Sequence, residues 1–181
     1  PIALFGVFYL PLADFRWFMG AIVVIGAWEF ANLSGLKVQW QRVLYAAAVG
    51  SALWAASFAP LVILSIGVIW WLLALFWVLT YPSSAKQWHL FRWLIGFAVL
   101  VPAWAGLVEL KSLPQGNYLI LYVLMLVWGA DVGAFFAGRT WGKRKLAPAV
   151  SPGKSWEGVW GGLFCTSLVA FIVSQYLEHS F

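Results

Sequence analysis

Long apolar runs, separated by a few short polar loops, constrain this chain more than any other feature. Six runs stand out: Trp17–Leu33, Val43–Ala59, Leu61–Tyr81, Trp93–Leu110, Tyr118–Gly138 and Trp156–Leu177. A helix needs about 20 apolar residues, at 1.5 Å each, to cross roughly 30 Å of hydrocarbon. The runs therefore predict an all-α, polytopic transmembrane bundle with about six full spans. The opening stretch Pro1–Leu12 is too short to span and reads as a partial N-terminal helix, not a signal peptide. Pro60 leaves so short a turn that the second and third runs are expected to form a tight helical hairpin. No internal repeat is visible, and no alternation suggests a barrel. The chain reads as a single integral membrane domain over residues 1–181, and as a fragment, since it begins without methionine and stops just after an apolar run.

Composition agrees. The chain is 64% hydrophobic and 9% charged, against roughly 45–50% and about 25% in soluble domains. Fourteen tryptophans suit the membrane–water interface. The single cysteine, Cys165, has no disulfide partner and reads as a packing residue. If the loops alternate sides, one side holds Lys37, Arg42, Lys86, Arg92, Arg139, Lys143, Arg144, Lys145 and Lys154, and the other only Arg16 and Lys111. That bias places the first group in the cytoplasm. The net charge of +5 is thus accounted for by cytoplasmic loops, without nucleic acid as a partner.

Chemistry concentrates between Leu126 and Gly162. Asp131 lies inside a predicted span, where an ionised carboxylate costs about 2.5–3.5 kcal/mol on translocon-based scales. Such a residue faces a wet cavity, a cation or a partner. Metal or proton chemistry is one reading of it, and a hydrogen bond to a neighbouring helix is the other. Around it, Gly129, Gly133 and Ala137, with Ala130, Ala134 and Gly138, form a ladder of small residues at four-residue spacing, which permits close helix packing. Downstream come Lys143, Arg144 and Lys145, then Ser151, Lys154 and Ser155 at the start of the last span. Pro152 and Gly153 suit a tight turn. Ser155 reads as an N-cap and Glu157 as a first-turn acid. Unpaired N–H groups at that helix start, with Lys154 beside them, suit a phosphate; the plainer alternative is a basic cytoplasmic loop with a helix cap. "PGKS" is not a P-loop, because Pro148 stands where the first glycine is required and no strand precedes it. Glu29 either points into the same cavity as Asp131 or reaches the interface. Glu109 beside Lys111 reads as a surface group. His89 and His179 have no companion at metal-ligand spacing.

The stretch "WGADVGAFFAGRTWGKRKLAPAVSPGKSWEG" closely resembles the bacterial phosphatidate cytidylyltransferase (CDP-diacylglycerol synthase) family, and "AWEFANLSG" and "YPSSAKQW" are similar to it too. The resemblance implies condensation of CTP with phosphatidic acid to CDP-diacylglycerol and pyrophosphate, with Mg²⁺, at the bacterial inner membrane. It implies Asp131 as a catalytic metal ligand and Lys154 as a catalytic phosphate-binding residue. Lys143, Arg144, Lys145, Ser151, Ser155 and Glu157 would contact substrate, with Glu157 either a helix-end group or a second metal-shell residue. The loop Arg139–Ser155 would be cytoplasmic, and the resemblance suggests a homodimer. The family's C-terminal signature (a Lys-Arg pair, Lys-Asp, Pro-Gly-His-Gly-Gly and Asp-Arg-x-x-Asp) is not in this sequence, so the chain alone is expected not to turn over. A transporter or channel using Asp131, a lipid or polyprenol kinase, and a purely structural membrane subunit are the rival readings.

Overall fold

The computed structural model describes residues 2–79, 92–148 and 151–178. Among these residues seven helices and one small hairpin follow in the order α1 (Ile2–Tyr9), α2 (Leu12–Leu33), α3 (Gln39–Ala56), α4 (Pro60–Leu79), α5 (Arg92–Ser112), α6 (Gly116–Trp141), β1 (Lys145–Ala147), β2 (Ser151–Ser155) and α7 (Trp156–Glu178). Each expected run coincides with a helix. The boundaries differ: α2 begins at Leu12 instead of Trp17, and α6 continues to Trp141. "YPSSAKQW", Lys86, His89 and His179 lie outside the described residues.

The expectation of about six full spans is met only in part. Among the described residues four helical segments are long and apolar enough to cross a membrane: Pro60–Val78, Arg92–Ser112, Gly116–Trp141 and Trp156–Gln175. Polar content sets α2 and α3 apart. The first carries Asp14, Arg16 and Glu29, and the second is 18 residues long with Gln39, Gln41 and Arg42 in its opening turns.

The chain forms two compact units, Pro1–Asn117 and Tyr118–Phe181. In the first, α2, α3 and α5 share a core of Ala27 and Ala31, of Tyr45, Val49, Leu53 and Ala56, and of Val101, Trp104, Ala105 and Val108. The alanines let the backbones of α2 and its neighbours approach. The Tyr45 hydroxyl donates to the Trp93 carbonyl at 2.6 Å, tying α3 to the start of α5. Tyr45→Phe should destabilise this unit by about 1 kcal/mol, read as a lower midpoint in thermal unfolding. The chain leaves α2 through a Schellman turn: Leu36 N–H bonds to the Ala31 carbonyl and Gly35 N–H to that of Asn32, with Gly35 at φ 98°. A left-handed residue is needed there, and glycine supplies it.

The expected α3–α4 hairpin is corrected. The turn at Pro60 is short, as expected, but α4 packs along α5. The fit is local and tight. A methyl added at Gly67 would lie 2.7 Å from Pro102 Cβ, and one at Gly106 3.5 Å from Leu64 Cδ2. The rest of α4 is apolar all round, with Leu61, Val62, Ile66, Trp71, Leu72 and Phe76 exposed, as befits a helix in lipid.

The second unit consists of α6, the hairpin and α7. The expected loop between the two helices is instead an antiparallel pair, with Lys145 opposite Ser155, Ala147 opposite Ser151, and an irregularity between. Pro152 is tolerated because a two-stranded ribbon has free edges.

Candidate functional site

Close packing of α6 on α7 builds the site. A methyl at Gly133 would meet the Gly161 carbonyl and lie 2.7 Å from Cys165 Sγ. A methyl at Gly162 would lie 3.0 Å from the Ala130 carbonyl oxygen, and one at Gly158 3.0 Å from that of Ala134. The ladder read on α6 therefore has a counterpart on α7 in Gly158, Gly161, Gly162 and Cys165. It is a packing surface within the chain.

Where the two helices meet the hairpin, a cavity of about 530 Å³ opens. Asp131, Ala134, Phe135, Gly138 and Arg139 line it from α6, Leu146 from β1, Gly153, Lys154 and Ser155 from β2, and Gly158 and Val159 from α7. The α6 residues fall at i, i+3, i+4, i+7 and i+8, one helix face. One carboxylate and two cations thus share one wall system, in a volume suited to a small molecule (roughly 300–1,000 Å³). The structure brings Asp131, Lys154 and Ser155 together as the sequence suggests. It adds Arg139, whose guanidinium also lies 5.8 Å from the Phe135 ring centroid.

Ser155 is the α7 N-cap. Its Oγ, on a residue 4% exposed, accepts from Gly158 N–H at 3.2 Å. Gly138 and Gly142 leave room for it: methyls there would lie 3.3 and 2.7 Å from that oxygen. Ser155→Ala should cost about 0.5–2 kcal/mol, checked by thermal unfolding against wild type.

The helix start differs from the open phosphate seat that its sequence suggests. Gly158 N–H is held by Ser155, and Trp156 N–H donates to the Arg144 carbonyl at 2.9 Å. Two of the four N–H groups that a helix start leaves free are thus engaged within the protein. An anion in this cavity would therefore meet chiefly the side chains of Lys154 and Arg139. Glu157 points away from that role. Both its carboxylate oxygens accept from Arg144 N–H, at 3.2 Å each, so it fastens the loop to α7. Lys143, Arg144 and Lys145 are exposed, and neither they nor Ser151 line the cavity.

Other carboxylates are accounted for elsewhere. Glu29, 59% exposed, pairs with Arg42 at 3.7 Å, and the Arg42 guanidinium stacks 3.5 Å above the Trp28 ring. Glu109, expected as a surface group, is half-buried, and Lys111 beside it is held by other groups. Its ammonium donates to the Val7 carbonyl at the end of α1 and to Asn117 Oδ1. Among the described residues no group of three or more His, Cys, Asp or Glu could hold a metal ion. Asp131 can still serve as one ligand, since Mg²⁺ commonly takes one or two carboxylates and completes its shell with substrate phosphates and water.

Comparison with known proteins narrows the chemistry. The chain is 52% identical to a phosphatidate cytidylyltransferase of Pseudomonas aeruginosa, across 90% of this chain and 62% of that protein. It is 40% identical to the phosphatidate cytidylyltransferase of Haemophilus influenzae, across 98% of this chain and 68% of that one. The Bacillus subtilis enzyme of the same name is 36% identical across 56% of the chain. The chain thus spans a little under two thirds of the length of its Pseudomonas relative. No solved structure matches it. The Cytidylyltransferase family matches from residue 1 to residue 181, which includes both helices of the cavity and the hairpin between them. With spanning helices and a cavity of mixed charge already in place, that match over the whole length identifies the chain as a multi-pass membrane member of the cytidylyltransferase family.

Proposed function

We propose that this chain carries part of the machinery that transfers a cytidylyl group from CTP to phosphatidate. A phosphatidate oxygen would attack the α-phosphorus of CTP. The bond from that phosphorus to the oxygen bridging the α- and β-phosphates breaks, and pyrophosphate leaves. CDP-diacylglycerol is the other product. The observation that carries this reading is the shared cavity of Asp131, Lys154 and Arg139 in a chain of this family.

Both substrates are anions, and transfer between them is a matter of positioning and charge neutralisation. Lys154 and Arg139 supply two positive charges at the cavity wall. The glycines at 138, 153 and 158 keep that wall low, so a phosphate can approach the backbone. Asp131 would hold Mg²⁺ with the substrate phosphates, and the ion would supply further charge neutralisation there. Lys143, Arg144 and Lys145, on the loop that Glu157 fastens, would draw CTP or anionic headgroups toward the cavity through their field. Ser151, on the same ribbon as Lys154, would sit at the substrate's edge.

The loop Arg139–Ser155 would face the cytoplasm of a bacterial inner membrane, where CTP is found and basic loops accumulate. All six long helices would then cross, with Glu29 of α2 and Arg42 of α3 paired with each other. A homodimer, which the resemblance implies, would use surfaces other than the α6–α7 ladder.

The test joins this sequence to the segments of the Pseudomonas relative that it lacks, in proteoliposomes with labelled CTP, phosphatidate and Mg²⁺. Labelled CDP-diacylglycerol with equimolar pyrophosphate is the expected result. CDP released with phosphorylated lipid would establish a kinase instead, and solute uptake without nucleotide a transporter. The chain alone, without those segments, should give no product.

A further inference from the structure

A second cavity, of about 600 Å³, lies within the first unit. It is lined by Arg16, Trp17 and Gly20 on α2, by Gly50 and Trp54 at the C-terminal half of α3, and by Trp104 on α5, among others. Its wall is almost wholly apolar. Gly20 and Gly50, one from each facing helix, contribute no side chain to it, so the wall between α2 and α3 is recessed. Exposed Trp17, Trp54 and Phe58 stand around it.

Arg16 is the exception in this apolar wall. Its Nε is sealed from solvent and has no hydrogen-bond partner, and among the described residues the guanidinium has no carboxylate within ion-pair distance. Sealing that nitrogen without a partner is costly, because it gives up water and gains no hydrogen bond, while Arg16 as a whole is half-buried. It is also firmly placed: Trp104 Nε1 donates to the Arg16 carbonyl at 3.2 Å, anchoring that turn of α2 to α5. A cation at the edge of an apolar slot, ringed by interface-loving aromatics, is complementary to one class of molecule.

We infer that this cavity binds an anionic phospholipid, with the headgroup phosphate at Arg16 and an acyl chain along the recess between Gly20 and Gly50. Arginine suits the headgroup because its planar fork takes phosphate oxygens in pairs. The apolar wall and the two glycines suit the chain, and the volume lies in the range of ligand sites (roughly 300–1,000 Å³). The aromatic rim fits the level at which headgroup and tail meet. Every residue of this site belongs to the first unit, none lines the Asp131 cavity, and the inference does not depend on the reaction proposed there.

The experiment is native mass spectrometry of the detergent-purified chain titrated with phosphatidylglycerol or phosphatidylcholine, without CTP. Wild type should retain one phosphatidylglycerol with about tenfold preference over phosphatidylcholine, because both lipids offer the phosphate but choline sets a second cation beside Arg16. Arg16→Gln should abolish the preference, and Arg16→Lys should restore part of it. Ala21→Phe fills the recess from an exposed position and leaves Arg16 in place; it should reduce retention of both lipids. Lys37→Gln, a cation elsewhere on the same unit, should change nothing. Equal retention of the two lipids by wild type would overturn the inference. So would an undiminished preference in Arg16→Gln or full retention in Ala21→Phe. Should Arg16→Gln fail to fold, the wild-type preference and Ala21→Phe decide the matter.

Discussion

Asp131→Asn should lower turnover in the CTP-dependent assay by about 10²–10³-fold, the usual cost of removing one group that stabilises transition-state charge. The substitution keeps shape and removes the charge. Asp131 is exposed to its cavity and makes no ion pair among the described residues, so the fold should hardly notice; substitutions away from packing are usually within about 0.5 kcal/mol. The unfolding midpoint should therefore stay put while activity collapses, which separates chemistry from folding. Asp131→Asn should also raise the Mg²⁺ concentration needed for half-maximal rate. Lys154→Ala acts on the other side of the same cavity and should chiefly weaken CTP, raising KM. Combined with Arg139→Ala, its effect should exceed the sum of the two, because each single variant leaves the other cation to hold the phosphates. Glu157→Gln provides the contrast, loosening the loop and lowering stability with a far smaller change in rate. Retention of more than about a tenth of wild-type turnover by Asp131→Asn would remove this carboxylate from the mechanism.

Why those residues could be found in advance, and others not, follows from how local each signal is. Asp131 announces itself because a carboxylate amid apolar residues has a high solvation cost wherever the helix ends up. Ser155 and Glu157 are legible because capping is decided within four residues of the helix start. Arg139 carries a signal of two meanings: Asp131, Phe135 and Arg139 recur at every fourth position, which sets them on one face, but a basic residue at a helix end is equally a topological marker. The hairpin had no local signal. Its second strand contains Pro152 and Gly153, both poor strand formers, and it is held by bonds that reach across the loop, from Trp156 N–H to Arg144 and from Arg144 N–H to Glu157. The first of those bonds, together with Gly158 N–H on Ser155 Oγ, closes the helix start that looks open in the sequence. The partner of α4 has no local signal for the opposite reason: a helix apolar on every side has no face that points at a neighbour, and α5 is met through such fits as Gly67 opposite Pro102 and Gly106 opposite Leu64.

Gly133→Ala should be among the most damaging single-methyl changes in the second unit. The two helices touch backbone to backbone there, and the added carbon would meet the Gly161 carbonyl and the Cys165 side chain together. Neither obstacle can swing away in the manner of a long side chain, since one is main chain and the other is a short side chain close to its own backbone. Overpacking of this kind costs about 1–3 kcal/mol, and in a membrane it acts directly on the close approach that holds helices together. Gly129→Ala, one turn earlier on the same face, makes the comparison sharp. Its methyl would find its nearest neighbour, Val169 Cγ2, at 3.4 Å, so that variant should fold as wild type does. Gly153→Ala, with nothing within 4 Å, serves as a second neutral control. Cys165, the chain's single cysteine, supplies the readout because it sits against Gly133. A thiol-reactive fluorophore should label it at a lower temperature in Gly133→Ala than in wild type, with Gly129→Ala and Gly153→Ala unchanged. Because Ala134, Gly138 and Gly158 belong both to this seam and to the cavity wall, Gly133→Ala should also lose activity below its unfolding midpoint. Coincident labelling curves for Gly129→Ala and Gly133→Ala would mean that α6 and α7 do not meet at these glycines, and the cavity built on their contact would go with them.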